Sequence, residues 1–147
     1  RWCFIGKIVS PMVFDAKVAM NGDIYGFSAY EAGILHIDVK RDRCEMIHKE
    51  ILPGAYGTKL GVNGKLYSIP GDGAYVWEYN VEEDSVKKIY EMIGEGKAKY
   101  AGGLTDRKGV IWGIPALTQR NLLYYEPGEA AEEIPENIYV KYFADNY

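Results

Sequence analysis

Asn63-Gly64-Lys65-Leu66-Tyr67-Ser68-Ile69-Pro70, followed by Gly71-Asp72-Gly73-Ala74 and then Tyr75-Val76-Trp77-Glu78-Tyr79-Asn80, is the stretch that decides the fold. The Asn-Gly pair turns the chain into a strand. The Pro-Gly-Asp-Gly break turns it out again, and a second aromatic-rich strand follows. Alone this is a β-hairpin, but the chain repeats it. Gly22-Asp23-Ile24-Tyr25-Gly26-Phe27 and Gly109-Val110-Ile111-Trp112-Gly113-Ile114-Pro115 are the other copies, and the three leading glycines lie 42 and 45 residues apart.

Working outward, each unit has four strand slots. The first precedes the turn: Asp15-Ala16-Lys17-Val18-Ala19-Met20, Gly57-Thr58-Lys59-Leu60-Gly61-Val62 and Lys99-Tyr100-Ala101-Gly102-Gly103-Leu104. The second is the repeated strand itself. The third is Ile34-Leu35-His36-Ile37-Asp38, Val76-Trp77-Glu78-Tyr79-Asn80 and Leu122-Leu123-Tyr124-Tyr125-Glu126. The fourth is Cys44-Glu45-Met46-Ile47-His48, Val86-Lys87-Lys88-Ile89-Tyr90 and, more weakly, Ala130-Ala131-Glu132-Glu133-Ile134. Short runs punctuated by Gly, Pro, Asn and Asp predict an all-β chain, and no helical periodicity competes.

Four-stranded antiparallel units of this period are read as β-propeller blades, here over about residues 14–52, 56–93 and 98–135. The ends fit the same grid. Trp2-Cys3-Phe4-Ile5-Gly6-Lys7-Ile8 takes the place of a fourth strand (2–9), and Ile138-Tyr139-Val140-Lys141-Tyr142-Phe143 that of a first strand (138–144). The expectation is therefore a partial propeller: one domain over 1–147, with three blades and a flanking strand at each end. The repeat resembles the broad β-propeller superfamily, and most of all the Gly-x-Ile-Tyr-x-Ile-Pro type seen at Gly64–Pro70. It lacks the Trp-Asp close of WD40 repeats. Gly102-Gly103 is the only glycine doublet, whereas kelch repeats carry one in every blade.

The pattern has a physical reason. An inner blade strand is covered by neighbouring blades on both faces, so it reads almost continuously apolar. Tyr25, Tyr67 and Trp112 are the large residues expected to fill the wedge, each burying on the order of 150–250 Å². Three blades leave sheet faces and edges open, whereas propellers close with about four to eight. A second copy of the chain or the remainder of a larger propeller is thus the expected partner.

Composition narrows the classes. The 147 residues are 48% hydrophobic and 26% charged, as in a globular domain, and the 14% aromatic content suits strands. A net charge of −4 does not support a nucleic-acid or anionic-membrane partner. No apolar run is long enough to span a bilayer as a helix. The opening Arg1-Trp2-Cys3-Phe4-Ile5 reads as the inside of a strand, which leads one to expect a processed product, a subunit or an excised piece. Cys3 and Cys44, 41 residues apart, form neither a disulfide framework nor a metal cluster. Both are expected as buried free thiols, which points towards a reducing, cytoplasmic setting.

Catalytic signals are weak. His36 and His48 fall in different slots without metal-ligand spacing, and the slot of His36, filled elsewhere by Glu78 and Tyr124, reads as tolerant and half-exposed. The carboxylates Glu82-Glu83-Asp84 and Glu129, Glu132, Glu133 flank turns, where solvated acids are expected. No Gly-x-Ser-x-Gly elbow occurs. Gly71-Asp72-Gly73 and Gly94-Glu95-Gly96-Lys97 lack the spacing of phosphate cradles. No catalytic residue, metal or cofactor is predicted.

Two features carry binding expectations. Lys17, Lys59 and Lys141 occupy the innermost slot and would ring a central channel suited to a small anion, unless they pair with Asp or Glu. The loops on one side of the blades gather Tyr30, Glu31, Tyr56, Asp72, Tyr75, Lys97, Gln119, Arg120 and Asn121, side chains typical of recognition surfaces. The expected function is that of a non-enzymatic interaction or assembly scaffold, or a subunit with a positional role. The alternative is a propeller enzyme or carbohydrate-binding lectin with its site on the loop face or the axis.

Overall fold

The computed structural model describes residues 12–92, 95–127 and 132–134. Its regular structure is all strand: β1 (Lys17–Val18), β2 (Ile24–Phe27), β3 (Ile34–Asp38), β4 (Arg43–Ile47), β5 (Ala55–Leu60), β6 (Leu66–Pro70), β7 (Tyr75–Asn80), β8 (Ser85–Glu91), β9 (Tyr100–Thr105), β10 (Ile111–Pro115), β11 (Leu122–Tyr125) and β12 (Glu132–Ile134). They form three four-stranded sheets, β1 to β4, β5 to β8 and β9 to β12, each in chain order. All neighbouring strands are antiparallel. These are the expected four slots. Several boundaries move by one or more residues: β1 is only Lys17–Val18, β5 starts at Ala55 rather than Gly57, and β4 ends at Ile47, where His48 takes a φ of 50°. The flanking strands at 2–9 and 138–144, with Cys3 and Lys141, lie outside the described residues.

The turns follow their chemistry. Gly22, Gly64 and Gly109 have φ of 86°, 79° and 85°, the left-handed conformation that favours glycine. Asn21 and Asn63 each do two jobs. The amide oxygen accepts the backbone N–H two residues on, and the amide nitrogen donates to the hydroxyl of Tyr25 or Tyr67. The third unit has Lys108 in place of the Asn. There Asp106 accepts the N–H groups of Lys108 and Val110 through Oδ1 and the Trp112 indole through Oδ2.

The sheets stack face to face with β1, β5 and β9 side by side. One core lies between the first two sheets, built from Tyr25, Phe27 and Ile34 against Ala55, Leu66, Trp77 and Tyr79. The other sets Tyr67, Ile69 and Val76 against Tyr100, Ile111, Leu123 and Tyr125. Buried hydrogen bonds cross both junctions: the Phe27 N–H donates to Thr58 Oγ1, and the Tyr125 hydroxyl to the Ser68 carbonyl. Every residue of β6, the inner strand of the middle sheet, is buried, whereas the outermost strand β8 exposes Ser85, Lys87, Lys88 and Glu91.

Equivalent residues differ in burial according to which sheet covers them. On the side towards the following sheet, Phe27 and Ile69 are 1% and 0% exposed, whereas their counterpart Ile114 is 44% exposed. On the side towards the preceding sheet, Leu66, Trp77 and Tyr79 are buried, as are Ile111, Leu123 and Tyr125, but Ile24, Leu35 and Ile37 are only half-buried. The first and third sheets thus each carry one incompletely covered apolar face.

Cys44 corrects an expectation. It is free but half-buried, because β4 is the outer strand of its sheet. Burial, and then the Glu45 charge, push its thiol pKa up.

Candidate functional site

On the loop face, Gly71-Asp72-Gly73 wraps a single oxygen. Their three successive N–H groups donate to the carbonyl of Gly54 at 2.8, 3.0 and 3.0 Å. This is the geometry of an anion cradle, already filled by the chain itself. A Cβ on Gly73 would lie 1.9 Å from the Pro53 carbonyl oxygen, so only glycine fits there. Lys99, buried beneath the loop, donates to the carbonyls of Asp72, Gly73 and Gly96 at 3.3, 3.3 and 2.7 Å, which anchors two loops to one cation.

The cradle fixes Asp72, whose Oδ1 accepts the Ala98 N–H at 2.8 Å and the Tyr56 hydroxyl at 3.0 Å. Because Tyr56 spends its one proton on Asp72, the Tyr30 hydroxyl must donate to Tyr56, 3.1 Å away. The Tyr30 contact, burial and the Asp72 charge hold the Tyr56 phenol well above its ordinary pKa, so it stays protonated at neutral pH. The Phe14 ring meets Tyr30 and Tyr56 edge-on, at 6.3 and 5.1 Å between centroids. Beside them lies an open groove of about 450 Å³, lined by Tyr30, Leu52, Asp72 and Tyr75 among others. Lys88 Nζ sits 4.1 Å from the centroid of the Tyr75 ring.

Four of the candidate residues, Tyr30, Tyr56, Asp72 and Tyr75, are therefore brought together. Glu31 is exposed on the loop of Tyr30, with its N–H on Ser28 Oγ. The others make their contacts within the third unit. The Lys97 carbonyl accepts the Thr118 hydroxyl. Gln119 and Asn121 donate their amides to Glu133, and Arg120 is exposed, its N–H on Gln119.

At the inner strands, Lys17 and Lys59 converge on one carboxylate: Asp15 accepts one ammonium on each oxygen, both at 2.5 Å. Burial raises the Asp15 pKa, but the two lysine hydrogen bonds outweigh it and hold the carboxyl below its usual range. Two cations on one anion leave a local excess of positive charge.

Several residues escaped the sequence reading. Asp15 and Lys99 precede or open first-slot strands and differ in type between units, so the repeat gave no alignment signal for them, whereas Phe14 aligns with Tyr56 but was not assigned to the loop face. His48 bridges units: Nδ1 lies 2.9 Å from Glu50 and Nε2 lies 2.7 Å from Asp84, which also accepts the Tyr79 hydroxyl. The His36 slot is compensated rather than tolerant. His36 stacks on Tyr25 and pairs with Asp23, whereas buried Glu78 accepts from Tyr67 and Lys65. Among the described residues no group of three or more His, Cys, Asp or Glu is placed to hold a metal ion. Among the described residues no helix is long and apolar enough to cross a membrane.

No protein-family description and no curated protein matches the chain. Solved structures do. A catalytically inactive virginiamycin B lyase from Staphylococcus aureus with quinupristin aligns with 84% of this chain and 41% of its own, at 13% identity and a TM-score of 0.68. A streptogramin B lyase aligns over 82% of this chain and 39% of its own, at 17% identity and a TM-score of 0.64. The fold is a partial β-propeller. The extracellular domain of a one-component system from B. thetaiotaomicron is also similar, at 14% identity and a TM-score of 0.64, over 84% of this chain and 18% of that one. The chain thus spans about two fifths of the length of the lyases, 41% and 39%. At these identities the likeness is one of fold.

Proposed function

We propose that the chain is a non-enzymatic assembly module, a run of propeller blades completed by further blades from outside the described residues. The observation that carries this is the contrast between Ile69, 0% exposed, and Ile114, 44% exposed, at the same position of successive blades. A buried aliphatic side chain contributes roughly 1.5–3 kcal/mol relative to an exposed one, so each end face gains from being covered. The further blade comes from a second copy of the chain. A reducing, cytoplasmic setting belongs to the same proposal and rests on Cys44 being free. Light scattering at micromolar concentration tests it: a mass of two chains is expected, and a strictly monomeric mass overturns self-association.

A second reading, a saccharide-binding or catalytic site, rests on the Tyr30–Tyr56–Asp72 cluster and its groove. Stacking on exposed Tyr30 with acceptors close by would suit a sugar ring. An anion site at Lys17 and Lys59, with Lys141, would compete with Asp15 for the same ammonium groups. Calorimetric titration with mono- and oligosaccharides decides the second reading. It predicts heat that Tyr30→Ala removes, and no heat with any sugar counts against it.

A further inference from the structure

We propose that the Asn21-Gly22 turn is a site of spontaneous deamidation, and that the fold shields the like Asn63-Gly64 turn from the same reaction. The two turns share a dipeptide and a backbone geometry, with Gly22 and Gly64 at φ of 86° and 79°. What surrounds them differs.

The chemistry belongs to the dipeptide. With no side chain on the glycine, its amide nitrogen can approach the Asn carboxamide. That nitrogen gives its proton to water and bonds to Cγ, the Cγ–Nδ2 bond breaks, and the carboxamide nitrogen leaves as ammonia. Water then opens the cyclic imide at either carbonyl, which leaves aspartate or isoaspartate and an added negative charge.

Both folded turns hold the reacting atoms in other hydrogen bonds. The Gly22 N–H donates to the Ala19 carbonyl at 2.9 Å, and the Gly64 N–H to the Gly61 carbonyl at 3.0 Å. Each carboxamide is fixed at both ends. Its oxygen accepts the N–H of Asp23 or Lys65, and its nitrogen donates to the hydroxyl of Tyr25 at 3.0 Å or Tyr67 at 2.8 Å. The reaction therefore waits on local opening, which costs little at a loosely held edge and much in a core.

The first turn is the easier to open. β1 and β2 close it with two residue pairs, whereas β5 and β6 close the second with five. Tyr67 is fully buried and donates to Glu78, which Lys65 also reaches, so Asn63 belongs to a four-residue network. Among the described residues the Tyr25 hydroxyl donates to no acceptor. A Cβ on Gly22 would meet no atom within 4 Å, but one on Gly64 would touch Met20 Cγ at 3.4 Å, so the first turn has more room to rearrange.

The product also fits the first turn better. In the third blade Asp106 already places an acid at this end, with backbone N–H groups on one oxygen and the Trp112 indole on the other. A carboxylate at position 21 can take the Asp23 N–H and the Tyr25 hydroxyl proton in the same way. At position 63 it would compete with Glu78 for the single Tyr67 proton.

The test incubates the unmodified chain at mildly alkaline pH, native and in urea, and follows both sites by peptide mapping that separates aspartate from isoaspartate. The rate in urea divided by the native rate gives the protection of each site and cancels the effect of its sequence neighbours. Protection at Asn63 is expected to exceed that at Asn21 by about tenfold or more. Equal protection, or greater protection at Asn21, overturns the proposal. Tyr67→Phe, checked by circular dichroism, is expected to speed the reaction at Asn63 several-fold and to leave Asn21 unchanged. Equal acceleration at both sites would assign the protection to global stability and overturn the shielding. Should Tyr67→Phe unfold, the urea midpoints of Asn21→Asp and Asn63→Asp replace it: the first is expected to match the unmodified chain and the second to fall, and the reverse order overturns the proposal.

Discussion

The Tyr67 phenol shows how much one residue of the repeat holds. It donates to Glu78 at 2.8 Å and accepts from Asn63 at 2.8 Å, while Lys65 reaches the same carboxylate at 3.1 Å. Glu78 is buried, so loss of the phenol leaves a carboxylate short of a donor. Tyr67→Phe is expected to lower the unfolding free energy by about 1–3 kcal/mol. Tyr25 occupies the same place in the first blade, but among the described residues its hydroxyl accepts from exposed Asn21, and its ring stacks on His36 at 4.6 Å. Tyr25→Phe is expected to cost less, about 0.5–1.5 kcal/mol. Urea unfolding of both variants checks the order, and equal losses would show that Glu78 does not depend on Tyr67. The glycine turns and wedge tyrosines were legible because they recur in sequence. The Asp23–His36 and Lys65–Glu78 pairs were not, because the charges exchange places between blades and only the strand register reveals them.

Among elements, the junction between β4 and the β7–β8 turn is expected to respond to pH. Burial lowers the His48 pKa, but the hydrogen bonds to Glu50 and Asp84 outweigh it, and the net shift is upward. The His48 hydrogen bonds hold the pKa of Glu50 and Asp84 down. A histidine favoured in its charged form by the fold contributes stability that is complete below its unfolded pKa. That contribution is lost as pH rises through the folded value. The two carboxylates work the other way: their contribution is present above the unfolded carboxylate range and is lost as pH falls through the lowered values. The bridge is therefore strongest between the carboxylate and imidazole ranges. Urea midpoints are expected to fall between about pH 6 and pH 8, since free histidine titrates near 6.5. His48→Asn, which tolerates the φ of 50°, is expected to reduce that fall. An unchanged fall would place the titration elsewhere. This bridge was hidden in the sequence because its partners lie 36 residues apart and, although Asp84 recurs as Asp42, the place of His48 is taken by Tyr90 in the next unit. The loop groove was half visible: Tyr30, Tyr56, Asp72 and Tyr75 could be assigned to one face, but the Gly54 carbonyl and Lys99 that fix Asp72 carry no pattern of their own.

For the molecule as a whole, the three-sheet architecture was readable because each blade repeats the same four slots, and sandwiching makes the inner strand apolar on both faces. What the repeat did not show is the asymmetry of the ends, since burial depends on neighbours and not on the residue itself. Ile114 and Ile69 are the same amino acid at the same position, one nearly half exposed and the other sealed. Ile24, Leu35 and Ile37 mark the opposite end in the same way. A blade stack with an apolar face at each end is most directly tested by small-angle X-ray scattering of the unmodified chain at micromolar concentration. The expected result is a forward intensity corresponding to two chains and the distance distribution of one compact, closed ring. A single-chain mass with the profile of an open arc would contradict it.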